Sequence, residues 1–173
     1  YGGTAIRCPT VLIESIEGSE TLAQALTAVA TADIVIFVSP NAAEYGLSAL
    51  RQARLVLPSG ALVLAMGPGT AAKLQEDGII ATAISKAPFN SEALMELNIL
   101  AAPAGQFVVI FCGEGGREWL SESLKDKGAR VIPVICYRRS LPPAADPRVI
   151  AYWQDHGIDV LTLTSIAAAE NLW

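Results

Sequence analysis

Charged residues and histidine are scarce in this chain of 173 residues, and each shortage excludes a class of protein. Only 17% of the residues are charged while 52% are hydrophobic, a balance that excludes an intrinsically disordered chain. A single histidine, His156, leaves little material for a Ser–His–Asp triad or a histidine-based metal site. It precedes Gly157 at the end of a helix-like segment, where we expect it to cap the helix.

Cysteine is also rare, and long apolar runs are absent. Cys8, Cys112 and Cys136 lie in or beside strand-like runs, and their odd number favours buried thiols in a reducing cytosol over disulfides or zinc. No apolar run reaches the roughly 18–20 residues of a membrane-spanning helix. The net charge of −5 argues against broad nucleic-acid binding. We therefore expect a cytoplasmic protein with no metal, no membrane span and no nucleic-acid partner.

Apolar, β-branched runs alternate with amphipathic segments, which is typical of βα units on a parallel sheet. Strands are predicted at Thr10–Ile13, Asp33–Val38, Leu62–Ala65, Phe107–Phe111, Val131–Tyr137 and Val160–Leu163. Helices are predicted at Thr21–Ala30, Asn41–Arg54, Thr70–Asp77, Ser91–Leu100, Gly116–Lys127, Pro147–His156 and Ile166–Leu172.

The chain also repeats itself. Asp33–Glu44 (DIVIFVSPNAAE) and Asp159–Glu170 (DVLTLTSIAAAE) are identical at five of twelve positions. A repeat with so long a period indicates two related α/β domains and not a solenoid. Different elements flank the two copies, so we expect a piece of a longer protein that is short of elements at both ends.

Two segments are suited to joining such domains, Glu14–Ser19 and the proline-rich Ser140–Pro147. The prediction is therefore an α/β protein with two related α/β domains with parallel sheets, one inserted in the other, joined by two extended linkers. The first, host domain would comprise residues 1–16 and 140–173, and the inserted domain residues 17–139.

Several predicted strands end in small or hydroxyl residues that precede a helix. Parallel strands gather such loops at the carboxyl edge of the sheet, where ligands bind. Ser39, Thr70 and Ser165 are residues of the types that cap helix N-termini, and the N–H groups exposed there attract anions. Any βα turn prefers the same residues, which leaves a purely structural role open. The glycine-rich loops match neither GxGxxG nor GK[ST], which argues against a nucleotide site.

Tyr137 ends an apolar strand and is followed by Arg138, Arg139 and the proline-rich segment. This order places a phenol and two cations at the predicted domain boundary, where a cleft would lie. The alternative is an aromatic plug at a strand end beside a solvated basic pair.

Four segments in order resemble the uroporphyrinogen-III synthase family. Phe107–Arg139 has a strand, a Gly-Arg-Glu helix start, a Leu-rich helix, a Gly-Ala turn and a strand ending in Tyr-Arg-Arg. Ile34–Leu47 is similar to the family's apolar strand, its Ser-x-x-Ala loop and the following helix. Ala61–Ile79 carries Gly-x-x-Thr-Ala-x-x-Leu-x-x-x-Gly, and Asp159–Trp173 matches the return to the first domain.

The resemblance implies two α/β domains, one inserted in the other, with substrate bound between them. It implies a hydro-lyase of tetrapyrrole and heme biosynthesis that cyclises hydroxymethylbilane to uroporphyrinogen III, inverting ring D and losing water. It implies no cofactor and a monomer that receives its substrate from hydroxymethylbilane synthase. A non-catalytic ligand-binding or regulatory module of the same fold remains the alternative.

The resemblance also implies roles for individual residues. Tyr137 falls on the family's tyrosine and would be catalytic, assisting departure of the hydroxyl as water. Ser39, Asn41, Thr70 and Ser165 would bind the carboxylates of the substrate. Ile166 and Ala43 depart from the family pattern, which commonly has proline and valine at these positions.

Overall fold

Two compact units make up the chain in the computed structural model. The first unit is Tyr1–Glu14 with Arg139–Trp173, and the second unit is Ser15–Arg138. The structure describes residues 4–16, 18–116, 118–142, 147–155, 157–163 and 165–172, so the predicted cap His156 lies outside the described residues. The boundaries differ by one or two residues from those predicted. That the units are domains that fold independently stays a prediction.

Six strands form one sheet in the order β1-β6-β5-β2-β3-β4. They are β1 (Leu12–Ser15), β2 (Ile34–Phe37), β3 (Leu62–Ala65), β4 (Ala83–Ile84), β5 (Phe107–Gly113) and β6 (Arg130–Ser140). The four contacts from β6 through β5, β2 and β3 to β4 are all parallel, which confirms the predicted α/β class. Both β1 and β6 cross the boundary between the units, so the chain passes from one to the other in strands.

Seven α-helices lie within the described residues. They are α1 (Glu20–Ala28), α2 (Pro40–Gln52), α3 (Pro68–Glu76), α4 (Ser91–Met95), α5 (Trp119–Asp126), α6 (Pro147–Asp155) and α7 (Ile166–Glu170). The helix predicted over Ser91–Leu100 is interrupted, because α4 ends at Met95 and a 3₁₀ turn covers Asn98–Leu100. The helix predicted from Gly116 begins instead at Trp119.

The core of the second unit lies on both faces of this sheet. All four residues of β2 are fully buried, as expected for a central parallel strand covered by helices on both sides. On one face, Leu94 of α4 and Leu124 of α5 pack with Ile36 and its neighbours. On the other, Phe37 and Phe111 stack with ring centroids 4.7 Å apart beneath α2. Gly46 permits this approach, because a Cβ there would lie 2.5 Å from the Phe111 ring.

Chain order reverses between β2 and β5. From β2 the chain adds β3 and β4 on one side, then returns to add β5 and β6 on the other. In open α/β sheets the crevice outside the carboxyl ends of strands at such a switch point is the usual ligand site. Ser39 follows β2 there, and Gly113 ends β5.

The first unit contains α6, α7 and the outer ends of β1 and β6. The strand predicted at Val160–Leu163 is wrong, since these residues pair with no other strand among those described. The Val160 side chain is 79% exposed. A β-strand is stabilised by ladder partners and same-face neighbours, so apolar composition alone does not form one. None of the helices in the described residues is long and apolar enough to cross a membrane.

Candidate functional site

Ser39 joins β2 to α2 at the carboxyl edge of the sheet. Its backbone is extended, and its Oγ accepts a hydrogen bond from the Ala42 N–H at 3.0 Å. The Ser39 carbonyl accepts from the Ala43 N–H at 3.0 Å. Ser39 is therefore the N-cap of α2, as the sequence predicts.

Tyr137 reaches the same point from β6. Its side chain is only 2% exposed, and its hydroxyl lies 3.1 Å from the Ser39 Oγ. The rings of Tyr137 and Tyr45 of α2 lie 5.9 Å apart, centroid to centroid. The structure thus brings together two residues that are 98 positions apart in the sequence. Each hydroxyl can donate or accept, so the hydrogen bond between them can run in either direction.

An extra residue in β6 sets the position of Tyr137. Cys112 pairs with Ile135, but Gly113 pairs with Tyr137, so Cys136 is left over as a bulge. Such bulges re-aim side chains and are common beside active sites. In an unbroken register Cys136 would oppose Gly113, and Tyr137 would point to the other face of the sheet.

Two thiols lie at the strand ends around this bulge, of which Cys136 is buried and Cys112 is partly buried. The Cys136 Sγ lies 3.7 Å from the Ala42 carbonyl and 3.5 Å from the Cys112 carbonyl. Burial raises the pKa of Cys112 to about 11 and, with a smaller contribution from Cys112, that of Cys136 to about 12. Neither thiol is ionised near neutral pH, so neither is suited to act as a nucleophile there.

Asn41 and Thr70 lie on two neighbouring helix starts. α2 packs against α3, and a Cβ at Gly69 would be 3.6 Å from Pro40 Cγ, which places the first turns side by side. The prediction that Thr70 caps α3 is wrong, because Gly67 holds the cap position, three residues earlier than predicted. Thr70 is 1% exposed, and its hydroxyl donates to the Met66 carbonyl at 3.0 Å.

These two helix starts make the edge attractive to anions. The first N–H groups of each helix have no partner within the helix, and the helix dipoles add partial positive charge. In α2 and α3 the first residue is proline, so the donors begin at Asn41 and Gly69. Asn41 is partly exposed and Gly69 is exposed, which leaves their backbones open to a ligand.

Ser165 belongs to the first unit. Its Oγ accepts from the Ala168 N–H at 3.1 Å, and its carbonyl accepts from the Ala169 N–H at 3.2 Å. It therefore caps α7 as predicted. In the same unit the Thr10 hydroxyl donates to the Ala168 carbonyl at 3.1 Å. The side chain of Asn171 donates to the Thr10 carbonyl at 2.8 Å, so two hydrogen bonds join the N-terminal segment to α7 and to the turn that follows it.

A cavity of about 540 Å³ lies in the second unit between α1 and α2, and Tyr45 and Cys136 are among its lining residues. Leu22, Leu26 and Ala49 are among its mainly apolar lining residues, and none of the described lining residues is Lys or Arg. The N-terminus of α1 reaches it at Ser19, but Glu20 in that first turn adds a negative charge, and the described lining offers no cation to a polycarboxylate. Within the described part of the chain, no three His, Cys, Asp or Glu side chains are grouped as a metal site would need.

Sequence reasoning missed Gly113 and Tyr45. The sequence pattern gives no sign that Gly113 is the last residue of β5, opposite Tyr137. The signal for Tyr45 was its helical spacing of four from Asn41, which places both on one side of α2.

The family model for uroporphyrinogen-III synthase HemD matches residues 1–173. The chain is 30% identical over 167 residues to uroporphyrinogen-III synthase of Salmonella typhimurium, covering 94% of this chain and 67% of that protein. The chain belongs to the uroporphyrinogen-III synthase family.

Other members of the family are similar to this chain in sequence or in fold. The Escherichia coli uroporphyrinogen-III synthase is 28% identical over 164 residues, covering 94% of this chain and 67% of that protein. A crystal structure of a mutant uroporphyrinogen III synthase from Thermus thermophilus is similar in fold, with a TM-score of 0.69 at 23% identity. That match covers 95% of this chain and 64% of the Thermus chain, so this chain spans about two thirds of the length of such relatives.

Proposed function

We propose that this chain cyclises hydroxymethylbilane to uroporphyrinogen III, with inversion of ring D and loss of water. One observation carries the proposal: in a chain of this family, the Tyr137 hydroxyl lies 3.1 Å from Ser39 at the switch point of the sheet. A proton donor and a carboxylate-attracting edge are the two things this reaction requires of the protein.

Tyr137 is the group that would assist the first step. Its phenolic proton passes to the hydroxymethyl oxygen, the C–O bond breaks, and water leaves. An azafulvene cation remains on the substrate. Inversion of ring D then requires that its existing C–C bond to the neighbouring methylene bridge breaks and that a new C–C bond forms at each of its two α-carbons. The proton lost from the previously unsubstituted α-carbon restores the phenol, so no proton is consumed overall.

The direction of the Ser39–Tyr137 hydrogen bond determines whether the phenolic proton is engaged in it. If Ser39 donates, the phenolic oxygen accepts, and the phenol's own proton is not used in that contact. Ser39 Oγ also accepts from the Ala42 N–H, which fixes the hydroxyl in place. Because the cation is reactive once formed, holding the substrate in a bent arrangement contributes to the rate alongside proton transfer.

The substrate's carboxylates would meet main-chain N–H groups more than side chains. Near Asn41 and Thr70, two adjacent helix starts present such donors, whereas the Thr70 hydroxyl is already bound to Met66. We propose that Ser39, Asn41 and Thr70 mark the carboxylate site in the second unit, with the exposed backbone of Gly69 as the donor beside the buried Thr70, and that Ser165 binds carboxylates in the first. Local helix dipoles must then outweigh the overall charge of −5.

The remaining expectations belong to the same proposal. The enzyme would act in the cytoplasm as a monomer without cofactor or metal. Its substrate would come from hydroxymethylbilane synthase, because a reactive linear tetrapyrrole closes spontaneously to the wrong isomer if it is released.

A coupled assay tests the proposal. Hydroxymethylbilane is generated in place, and the products are oxidised and separated as isomers I and III. We expect the chain to produce isomer III in excess over the spontaneous reaction. Isomer I alone, formed at the spontaneous rate, would contradict the proposal and favour a non-catalytic binding module, which protects the substrate without changing the isomer.

A further inference from the structure

We propose that Gly113 is a positioning residue for the reaction, because its missing side chain opens the space through which Tyr137 reaches Ser39. The inference rests on the proposed function, since it assigns Gly113 a role through the catalytic phenol. Its structural part, the coupling between Gly113 and Tyr137, is testable without any activity.

Strand order creates the need for this space. Tyr137 lies on β6 and Ser39 follows β2, while β5 lies between those two strands. The Tyr137 side chain must therefore cross the end of β5 to reach Ser39. The residue it crosses is Gly113, which is its direct partner in the β5–β6 ladder.

With Tyr137 in its observed position, there is no room for a side chain at position 113. A Cβ at Gly113 would lie 2.5 Å from Tyr137 Cζ, 2.6 Å from its Cε2 and 2.9 Å from its hydroxyl oxygen. All three distances are shorter than the closest approach of non-bonded carbon and oxygen atoms, so the phenol would have to move. The atoms closest to the added carbon are those that carry or neighbour the reacting hydroxyl.

The backbone conformation at position 113 does not by itself require glycine. Gly113 is a strand residue, and its φ lies outside the left-handed region that favours glycine. Alanine can therefore adopt the Gly113 backbone, and the three atoms nearest to an added Cβ all belong to the Tyr137 side chain. Gly115 differs, since its φ of +67° demands glycine while no atom lies within 4 Å of an added Cβ.

The backbone around the pair is held, which makes relief by main-chain movement costly. The Glu114 N–H donates to the Tyr137 carbonyl at 2.8 Å, and the Val38 N–H donates to the Phe111 carbonyl at 3.3 Å. The Tyr137 ring is 2% exposed and packed beside Tyr45. An added Cβ is therefore expected to displace the side chain of Tyr137 in preference to the strands.

The experiment combines Gly113→Ala with variants of Tyr137. In protein labelled at the tyrosine ring carbons, the Tyr137 resonance, assigned through Tyr137→Phe, should shift in Gly113→Ala. Turnover to isomer III should fall on the order of 10- to 100-fold in Gly113→Ala. It should fall no further when Gly113→Ala is added to Tyr137→Phe. Gly60→Ala is the matched control, because an added Cβ meets nothing within 4 Å there.

Each other outcome overturns the inference or separates it from the proposed function. An unshifted Tyr137 resonance in Gly113→Ala would overturn it, as would a further loss of turnover in the Tyr137→Phe background. If Gly113→Ala does not fold, Gly113→Ala with Tyr137→Ala should, because the ring that opposes the new carbon is gone, and failure of that double variant would also overturn it. A shifted resonance in a chain that forms no isomer III would support the coupling while contradicting the proposed function.

Discussion

The two copies of the internal repeat, Asp33–Glu44 and Asp159–Glu170, share a sequence pattern but not a structure. In the first copy, an apolar run forms β2, which is fully buried between β5 and β3. In the second, the corresponding residues Val160–Leu163 form no strand and are exposed. The same kind of run therefore has two outcomes within one chain.

The helix starts of the two copies are nevertheless alike. Ser39 and Ser165 each accept a hydrogen bond from the N–H three residues later, at 3.0 and 3.1 Å. A cap is built from residues within one turn of the chain, so it forms wherever its short sequence occurs. A strand depends on neighbours distant in sequence. The repeated sequence is therefore sufficient to form the cap, whereas its apolar run forms a strand only where other strands are present to pair with it.

Core truncation at matched positions should give the largest difference between the copies. Ile34 is fully buried and Val160, its counterpart in the repeat, is 79% exposed. We expect Ile34→Ala to lower the free energy of unfolding by about 2–5 kcal/mol, because it removes packed methyl groups and leaves a cavity. Val160→Ala should change it by no more than about 0.5 kcal/mol. Urea denaturation measures both.

Equal losses at the two positions would contradict this comparison, since they would mean that Val160 is as well packed as Ile34. Conservative variants sharpen the test. Ile34→Val keeps most of the buried side chain and should cost about 0.5–1.5 kcal/mol, between the two alanine values.

Removal of the caps should give a smaller difference. Ser165→Ala removes one bond to the Ala168 N–H and should weaken the start of α7 by about 1 kcal/mol. Ser39→Ala removes the equivalent bond and also the contact with the Tyr137 hydroxyl, which adds about 1 kcal/mol. Amide hydrogen exchange at Ala168 and Ala42 measures the local opening.

Threonine at either serine position keeps the hydroxyl and serves as the control, with exchange expected to stay near that of the unaltered chain. If Ser39→Ala and Ser165→Ala had the same effect, the Ser39–Tyr137 contact would contribute nothing to stability.

Much of the fold follows from the sequence, because most of the apolar runs have neighbouring strands to pair with. Leu62–Ala65 was predicted at its observed bounds, because a buried apolar run flanked by turn residues has neighbours to pair with. β4 was missed, since two residues at the sheet edge leave no periodic signal. The second copy of the repeat misled the prediction, because composition reports strand propensity and not the presence of a partner.

The site was predictable residue by residue but not as an arrangement. Family resemblance and chemistry singled out Tyr137 and Ser39, yet no spacing in the sequence shows that they touch. Their contact depends on strand order, on the bulge at Cys136 and on the glycine opposite Tyr137, all of which are tertiary features. Thr70 shows that a single-residue prediction can also fail. Its hydroxyl was expected to face the ligand, but it donates a hydrogen bond to the Met66 carbonyl.

The most direct test of Tyr137 is the isomer assay on Tyr137→Phe, with Tyr152→Phe of α6 as the control. Phenylalanine keeps the buried ring and removes only the hydroxyl that lies 3.1 Å from Ser39. We predict that Tyr137→Phe lowers turnover to isomer III markedly, on the order of 10- to 100-fold, but not to zero, because substrate positioning persists without the proton donor. Tyr152→Phe should leave it unchanged. Unaltered turnover in Tyr137→Phe would contradict the catalytic role of Tyr137.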